Sequence, residues 1–164
     1  MTELPSGVQR TIEAVRAQWD PQYDVVVNHF VPWTALRKPL RESRIAVVSS
    51  AGAYLAGAQE PFDLSDPHGD PTFREIPAET PPRALSIAHE HYDHALADED
   101  ANVVFPLERL RTLAEAGEIG GLAPVAYSFS GFVTRQLPLA ADHGPEVAKR
   151  LQAAAADAAL LVAV

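Results

Sequence analysis

The sequence predicts an α/β protein: a three-layer, Rossmann-like arrangement around a mostly parallel sheet, incomplete at its C-terminal end. Three observations predict it. The runs Arg44–Ser50 and Ala158–Val164 are apolar without polar alternation, the pattern of strands buried on both faces. Stretches with helical periodicity separate the apolar runs, as layered α/β folds require. The final run stops in the middle of an apolar strand, whereas domain termini usually trail into exposed polar segments.

Taken in order, Gly7 to Trp19 reads as an amphipathic helix, with Ser6 as N-cap and Val8, Ile12, Val15 and Trp19 on one stripe. Tyr23 to Leu40, with Pro32, Trp33 and Pro39, reads as an irregular lead-in. The first strand, Ile45–Ser49, feeds the loop Ala51-Gly52-Ala53-Tyr54-Leu55-Ala56-Gly57, whose two glycines permit close backbone approach or positive φ. Residues 59–82 hold six of the fourteen prolines and much acid, and read as one long loop of the kind that is often functional. Arg83–Ala88 reads as a second strand. Pro106–Ala116 is a helix with proline at its start, a Leu107, Leu110 and Leu113 stripe, and Gly117 at its end. Gly120-Gly121 and Tyr127-Ser128-Phe129-Ser130-Gly131 read as irregular, Pro145–Ala155 as a helix, and the chain closes on the last strand. One α/β domain over residues 1–164 is the expectation.

Composition narrows the function. With 22 acidic residues against 13 basic, the net charge is −9, and the basic residues form no extended face for nucleic-acid phosphates. The cluster Arg37-Lys38 with Arg41 and Arg44 reads as a solvated flank. There is no cysteine, which excludes disulfides, thiolate metal sites and a cysteine nucleophile within these residues. The N-terminal residues lack signal-peptide character, and no apolar run approaches the roughly 18 residues of a membrane span. A cytoplasmic protein without membrane or nucleic-acid partners is expected.

The densest chemical signal is His89-Glu90-His91-Tyr92-Asp93-His94. As H-x-H-x-D-H it matches the metal signature of the metallo-β-lactamase fold, and His89, His91, Asp93 and His94 are the candidate ligands for zinc or iron. The competing reading is a polar loop whose histidines bond to backbone or substrate. Asp63, Asp66 and Asp70, with His68 and Gly69, lack the spacing of a calcium loop and read as turn chemistry or substrate positioning. The Ser49-Ser50-Ala51-Gly52 loop, at a strand end, is placed to offer backbone N–H groups to a bound anion.

Several segments, taken together and in order, resemble one family. They are Val47 to Leu55, Pro61 to Leu64, Pro67 to Asp70, Phe73 to Ile76, His89 to Asp93, Asn102 to Pro106 with Arg109-Leu110, and Glu118 to Pro124. The set is similar to the selenoprotein B subunits of the glycine, sarcosine, betaine and D-proline reductases, over roughly residues 20–164. The resemblance implies reductive cleavage of a small amino acid or amine derivative, with electrons from a dithiol. It also implies partner subunits, in some members a pyruvoyl-bearing one, and a selenocysteine or cysteine directly after the last strand.

No residue of this chain supplies that nucleophile, so it is expected immediately after Val164, at a selenocysteine codon read as stop. Candidates for substrate binding or proton transfer are Ser49, Ser50, Asp66, His68, Asp70, His89, His91 and Asp93. His68 and the His89–Asp93 segment are expected to converge on one crevice. The rival readings are a noncatalytic binding or assembly subunit and a small metal-dependent hydrolase built on His89–His94. Association into a homo-oligomer through the last strand is a further expectation.

Overall fold

The computed structural model describes residues 4–18, 20–25 and 34–164. It forms two compact units, Met1–Thr34 and Ala35–Val164. Within the first, helix α1 (Ser6–Gln18) takes in Ser6 as its first residue rather than as a cap, and Ile12 is its buried residue. Trp19, Pro32 and Trp33, on which part of the sequence reading rested, lie outside the described residues.

The second unit is built on a five-stranded sheet whose centre is β1 (Arg44–Ser49). β7 (Ala158–Val162) runs parallel to β1 from Ile45↔Ala158 to Ser49↔Val162. On the other side of β1 two short parallel strands follow one another: β5 (Gly121–Leu122) beside its start, β6 (Val125–Phe129) beside its end. β3 (Phe73–Pro77) closes the far side, antiparallel to β6. A separate ribbon pairs β2 (Ala53–Leu55) with β4 (Leu85–Ile87), antiparallel. The unit is therefore mixed α/β with a mostly parallel sheet.

Strand alternation sorts side chains onto two faces. Ile45, Val47, Ile76 and Ala126 point to one of them. There they meet Ala97 of α2 (Ala95–Glu99), Val104, Phe105, and Leu107 and Leu110 of α3 (Leu107–Glu115), all in one buried cluster. The predicted stripe of α3 is thus two-thirds correct, since Leu113 is exposed. Gly117 ends α3 with φ 73°, a left-handed conformation that glycine adopts without strain. On the opposite face Phe73 packs edge-on to Tyr127, and Arg150 of α5 (Gly144–Ala153) lies 5.2 Å from the Phe73 ring centre. A short turn, α4 (Gln136–Pro138), leads into α5 through a π-helical turn, Leu139–His143.

Four expectations need correcting. Residues 59–82 are not one loop, because Phe73–Pro77 is a strand of the main sheet: Phe73 and Ile76 find apolar partners on opposite faces. Tyr127-Ser128-Phe129 is not irregular but forms most of the interior strand β6, with Ser128 fully buried. The loop expected over Ala51–Gly57 contains a strand, Ala53–Leu55, which pairs with the predicted second strand, present as Leu85–Ile87. Finally, β7 is parallel to β1 as expected but is not buried on both faces. It pairs only with β1 among the described strands, and Leu161 is 73% exposed.

Candidate functional site

Parallel strands of an open sheet deliver their following loops to one edge, where α/β proteins gather their ligands. Here the carboxyl ends of β1, β6 and β7 meet. The N–H of Ser50 donates to the Val162 carbonyl at 3.0 Å, and the N–H of Val164 donates to Ser50 Oγ at 3.0 Å. The Ser50 hydroxyl accepts that bond and keeps its own proton to donate. After β6, Ala51 and Ser130 form a bridge, which places Gly131 beside Ser50. A Cβ built on Gly131 would lie 2.9 Å from His89 Nε2, 2.9 Å from the Ser50 carbonyl oxygen and 3.0 Å from the Val164 carbonyl oxygen. No side chain fits there, so three polar groups from three elements crowd onto one glycine.

His89 reaches this junction because Gly52 brings β4 against the β1 loop. The Gly52 carbonyl accepts from Ala88 N–H at 2.9 Å, and its own N–H donates to Phe129 at 2.8 Å. With φ 71° and the Ala88 carbonyl against its α-carbon, position 52 excludes any Cβ. The segment after β4 then folds on itself. His91 N–H donates to His89 Nδ1 at 3.1 Å, Tyr92 packs edge-on to the His89 ring at 4.7 Å, and the Tyr92 hydroxyl donates to Ala51 O at 3.2 Å. His89 is 5% exposed, and its Nε2 is buried without a hydrogen-bond partner. Burial lowers its pKa below the usual imidazole value, helped by the neighbouring His91 and His94. The Tyr92 phenol is pushed up to about 12, by burial first and by Asp98 second.

The other predicted residues divide. His91 stacks on Phe132 with ring centres 3.8 Å apart. His68 Nδ1 lies 3.0 Å from Thr134 Oγ1, and its carbonyl accepts from Thr134 N–H at 2.9 Å. The strip Gly131–Thr134 therefore touches His89, His91 and His68, so one segment after β6 joins the two predicted parts of the site. Asp66 and Asp70 hold the loop's own shape. Asp66 accepts from His68 N–H at 2.8 Å, while Asp70 accepts from the N–H groups of Asp63 and Thr72, the Thr72 hydroxyl, and Arg74. Burial works to raise the Asp70 carboxyl, but these donors outweigh it and hold the group below the usual carboxylate range. Asp93 accepts from Ala95 N–H at the start of α2. Ser49 faces the core, where its hydroxyl donates to Val104 O at 2.8 Å.

The metal reading is not supported by the geometry. Among the described residues no group of three or more His, Asp or Glu could hold a metal ion. His94 Nδ1 pairs with Asp98 at 2.7 Å, Asp93 accepts from the Ala95 N–H at 3.1 Å, and His89 Nδ1 is taken by the His91 amide. His89, Asp93 and His94 thus bond to separate partners while the His91 ring stacks on Phe132, because a turn follows His89 instead of the extended segment that would align them. The zinc or iron expectation, and the hydrolase built on it, lose their ligand set. Sequence reading also missed Gly131, Phe132 and Thr134. The one available signal was the glycine that closes Tyr127-Ser128-Phe129-Ser130-Gly131, and it was hidden once that segment was read as irregular.

An open, mostly parallel α/β sheet with its polar junction at the carboxyl ends of three strands defines the class. The family follows from sequence comparison. The model of the glycine/sarcosine/betaine reductase selenoprotein B family matches residues 8–164, and the chain belongs to that family. It is 35% identical over 131 residues to the D-proline reductase subunit gamma of Acetoanaerobium sticklandii, covering 80% of this chain and 52% of that protein. It is 29% identical over 136 residues to the glycine reductase complex component B subunit gamma of Carboxydothermus hydrogenoformans, covering 80% of this chain and 30% of that one. The chain thus spans about half the length of the first relative and under a third of the second. No solved structure matches. No helix among the described residues is long and apolar enough to cross a membrane.

Proposed function

We propose that residues 1–164 are the N-terminal portion of a selenoprotein B-type reductase subunit, and that they form the substrate-facing wall of its active site. In the complete protein the sheet is a three-layer, Rossmann-like one that continues beyond Val164. The reaction is reductive cleavage of a small amino acid or amine derivative, in a cytoplasmic complex with other subunits, among them a pyruvoyl-bearing one. The observation that carries this reading is the meeting of Val164, Ser50 and His89 over Gly131. It brings the end of β7 to the place where open α/β sheets bind their ligands.

A selenocysteine joined after Val164 would supply the polarizable nucleophile, released afterwards by a dithiol whose two thiols give up two electrons and become a disulfide. The residues present fit such a group, because a buried ring nitrogen without a partner lies at the end of β7. This chain's own contribution is to bind and orient. His68 and His91 line the approach through Thr134 and Phe132, Ser50 fixes the end of β7, and Tyr92 packs against the His89 ring and bonds to Ala51 O.

The test is the mass and selenium content of the protein isolated from its own cells, with a reductase assay on the isolated complex. A polypeptide longer than 164 residues that carries selenium and sustains dithiol-dependent cleavage supports the reading. A 164-residue polypeptide that turns over alone overturns it. A second reading, a noncatalytic binding or assembly subunit, rests on the absence of cysteine from all 164 residues. A selenium-free 164-residue protein that co-purifies with reductase subunits favours it.

A further inference from the structure

The His89 ring is held in one tautomer by a donor that cannot change roles. A backbone N–H only donates, so Nδ1, which receives His91 N–H at 3.1 Å, carries no proton in the neutral ring. The proton of neutral His89 is therefore on Nε2, and Nε2 is a donor. That donor is buried, has no partner, and faces the point above Gly131 where the Val164 carbonyl also arrives. An unmet buried N–H forfeits the hydrogen bond that water would give it, so an arrangement that creates one calls for an acceptor. The neutral form is favoured by burial and by the neighbouring histidines, so the group offers a hydrogen bond rather than a full charge.

We propose that His89 is a positioning residue whose Nε2–H donates to an anionic atom carried at the C-terminal end of β7, with Gly131 keeping the line between them open. The proposal deepens the reading above, which places the reacting residue at that end. It adds the chemical form of the partner, an anion that accepts one hydrogen bond from a neutral ring. Each residue then has a distinct part. The His91 amide fixes the tautomer and Tyr92 packs the ring edge-on, while Ser50 Oγ, through Val164 N–H, fixes the direction in which the chain leaves β7. Gly131 is the one position where an added methyl would stand among all three polar groups.

The experiment compares two forms of the protein with 15N-labelled histidines, one extended by a selenocysteine after Val164 and one extended by a serine there, so that only the first carries an anionic atom at the end of β7. A His89 ring protonated at Nε2 and not at Nδ1 is the expected result in both. Replacing the selenolate by the serine hydroxyl removes the charge and should shift the Nε2–H proton upfield while leaving the tautomer unchanged. Gly131→Ala should produce the same loss of coupling by pushing the ring away, and if that variant fails to fold the two extended forms decide alone. A ring protonated at Nδ1, or an Nε2–H resonance identical in the selenocysteine and serine forms, overturns the proposal. None of these readouts needs turnover. A complex without reductase activity would sink the functional reading and leave this one standing.

Discussion

Ser49 of β1 and Ser128 of β6 stand opposite each other in the sheet, both buried, yet one hydroxyl is bonded and the other is not. Ser49 Oγ donates to Val104 O at 2.8 Å, tying β1 to the segment before α3, whereas Ser128 Oγ has no partner. Ser49→Ala leaves the Val104 carbonyl unmet and should cost about 1–2 kcal/mol, while Ser128→Ala removes an unsatisfied group and should be neutral or stabilise by about 1 kcal/mol. Urea unfolding of both variants checks this. Equal destabilisation by the two would contradict the assignment.

Two glycines with nearly the same backbone angle should respond differently to alanine. Gly52 has φ 71° and lies against the Ala88 carbonyl, whereas Gly57 has φ 73° with nothing near its α-carbon. Gly57→Ala should cost only the left-handed strain of about 1–2 kcal/mol, and Gly52→Ala should add overpacking of about 1–3 kcal/mol. Thermal unfolding of the pair measures the difference. The Gly52 variant should also lose the ring contacts of His89, visible in the aromatic NMR signals.

His89 gives the protein a pH dependence of known sign. Its folded pKa is lowered from 6.5, so the unfolded chain binds the proton more readily. Its contribution is fully present above the unfolded value and is lost as pH falls from 6.5 through the folded pKa. His89→Gln should therefore lose less stability than wild type between pH 7.5 and pH 5.5, as measured by denaturant titration. Parallel loss in both proteins would show that the ring is not buried as described.

The exposed side chains of β7 predict association. Leu160 and Leu161 leave apolar side chains exposed on the two faces of an edge strand, and such edges pair with other chains. Leu161→Lys should reduce self-association in sedimentation velocity without lowering the unfolding midpoint. If the variant associates as wild type does, the contact lies elsewhere.

The sequence alone determined what local chemistry can dictate. β1 was legible because Ile45 to Ser49 is apolar at successive positions and is buried against both faces. Helix α3 was legible because Pro106 opens it, Leu107 and Leu110 share a stripe, and Gly117 closes it at positive φ. The carboxylates of Asp63, Asp66 and Asp70 were read as turn formers, and each now accepts a nearby backbone N–H. The family, too, was carried by residues that can be quoted in order.

Only the tertiary structure decided which side chains meet. Val125–Phe129 mixes serine and tyrosine with small apolar residues, and nothing local says that it sits between β1 and β3. β7 reads as doubly buried, but burial depends on neighbours, and one of its sides has none among the described strands. His89, His91, Asp93 and His94 look like a ligand set in one dimension. The turn after β4 sends each to a different partner, and only His89 reaches the end of β7. Hydrogen-bond acceptors and steric gaps are properties of pairs distant in sequence. A glycine at 131 and a histidine at 89 acquire meaning only when the sheet brings them together.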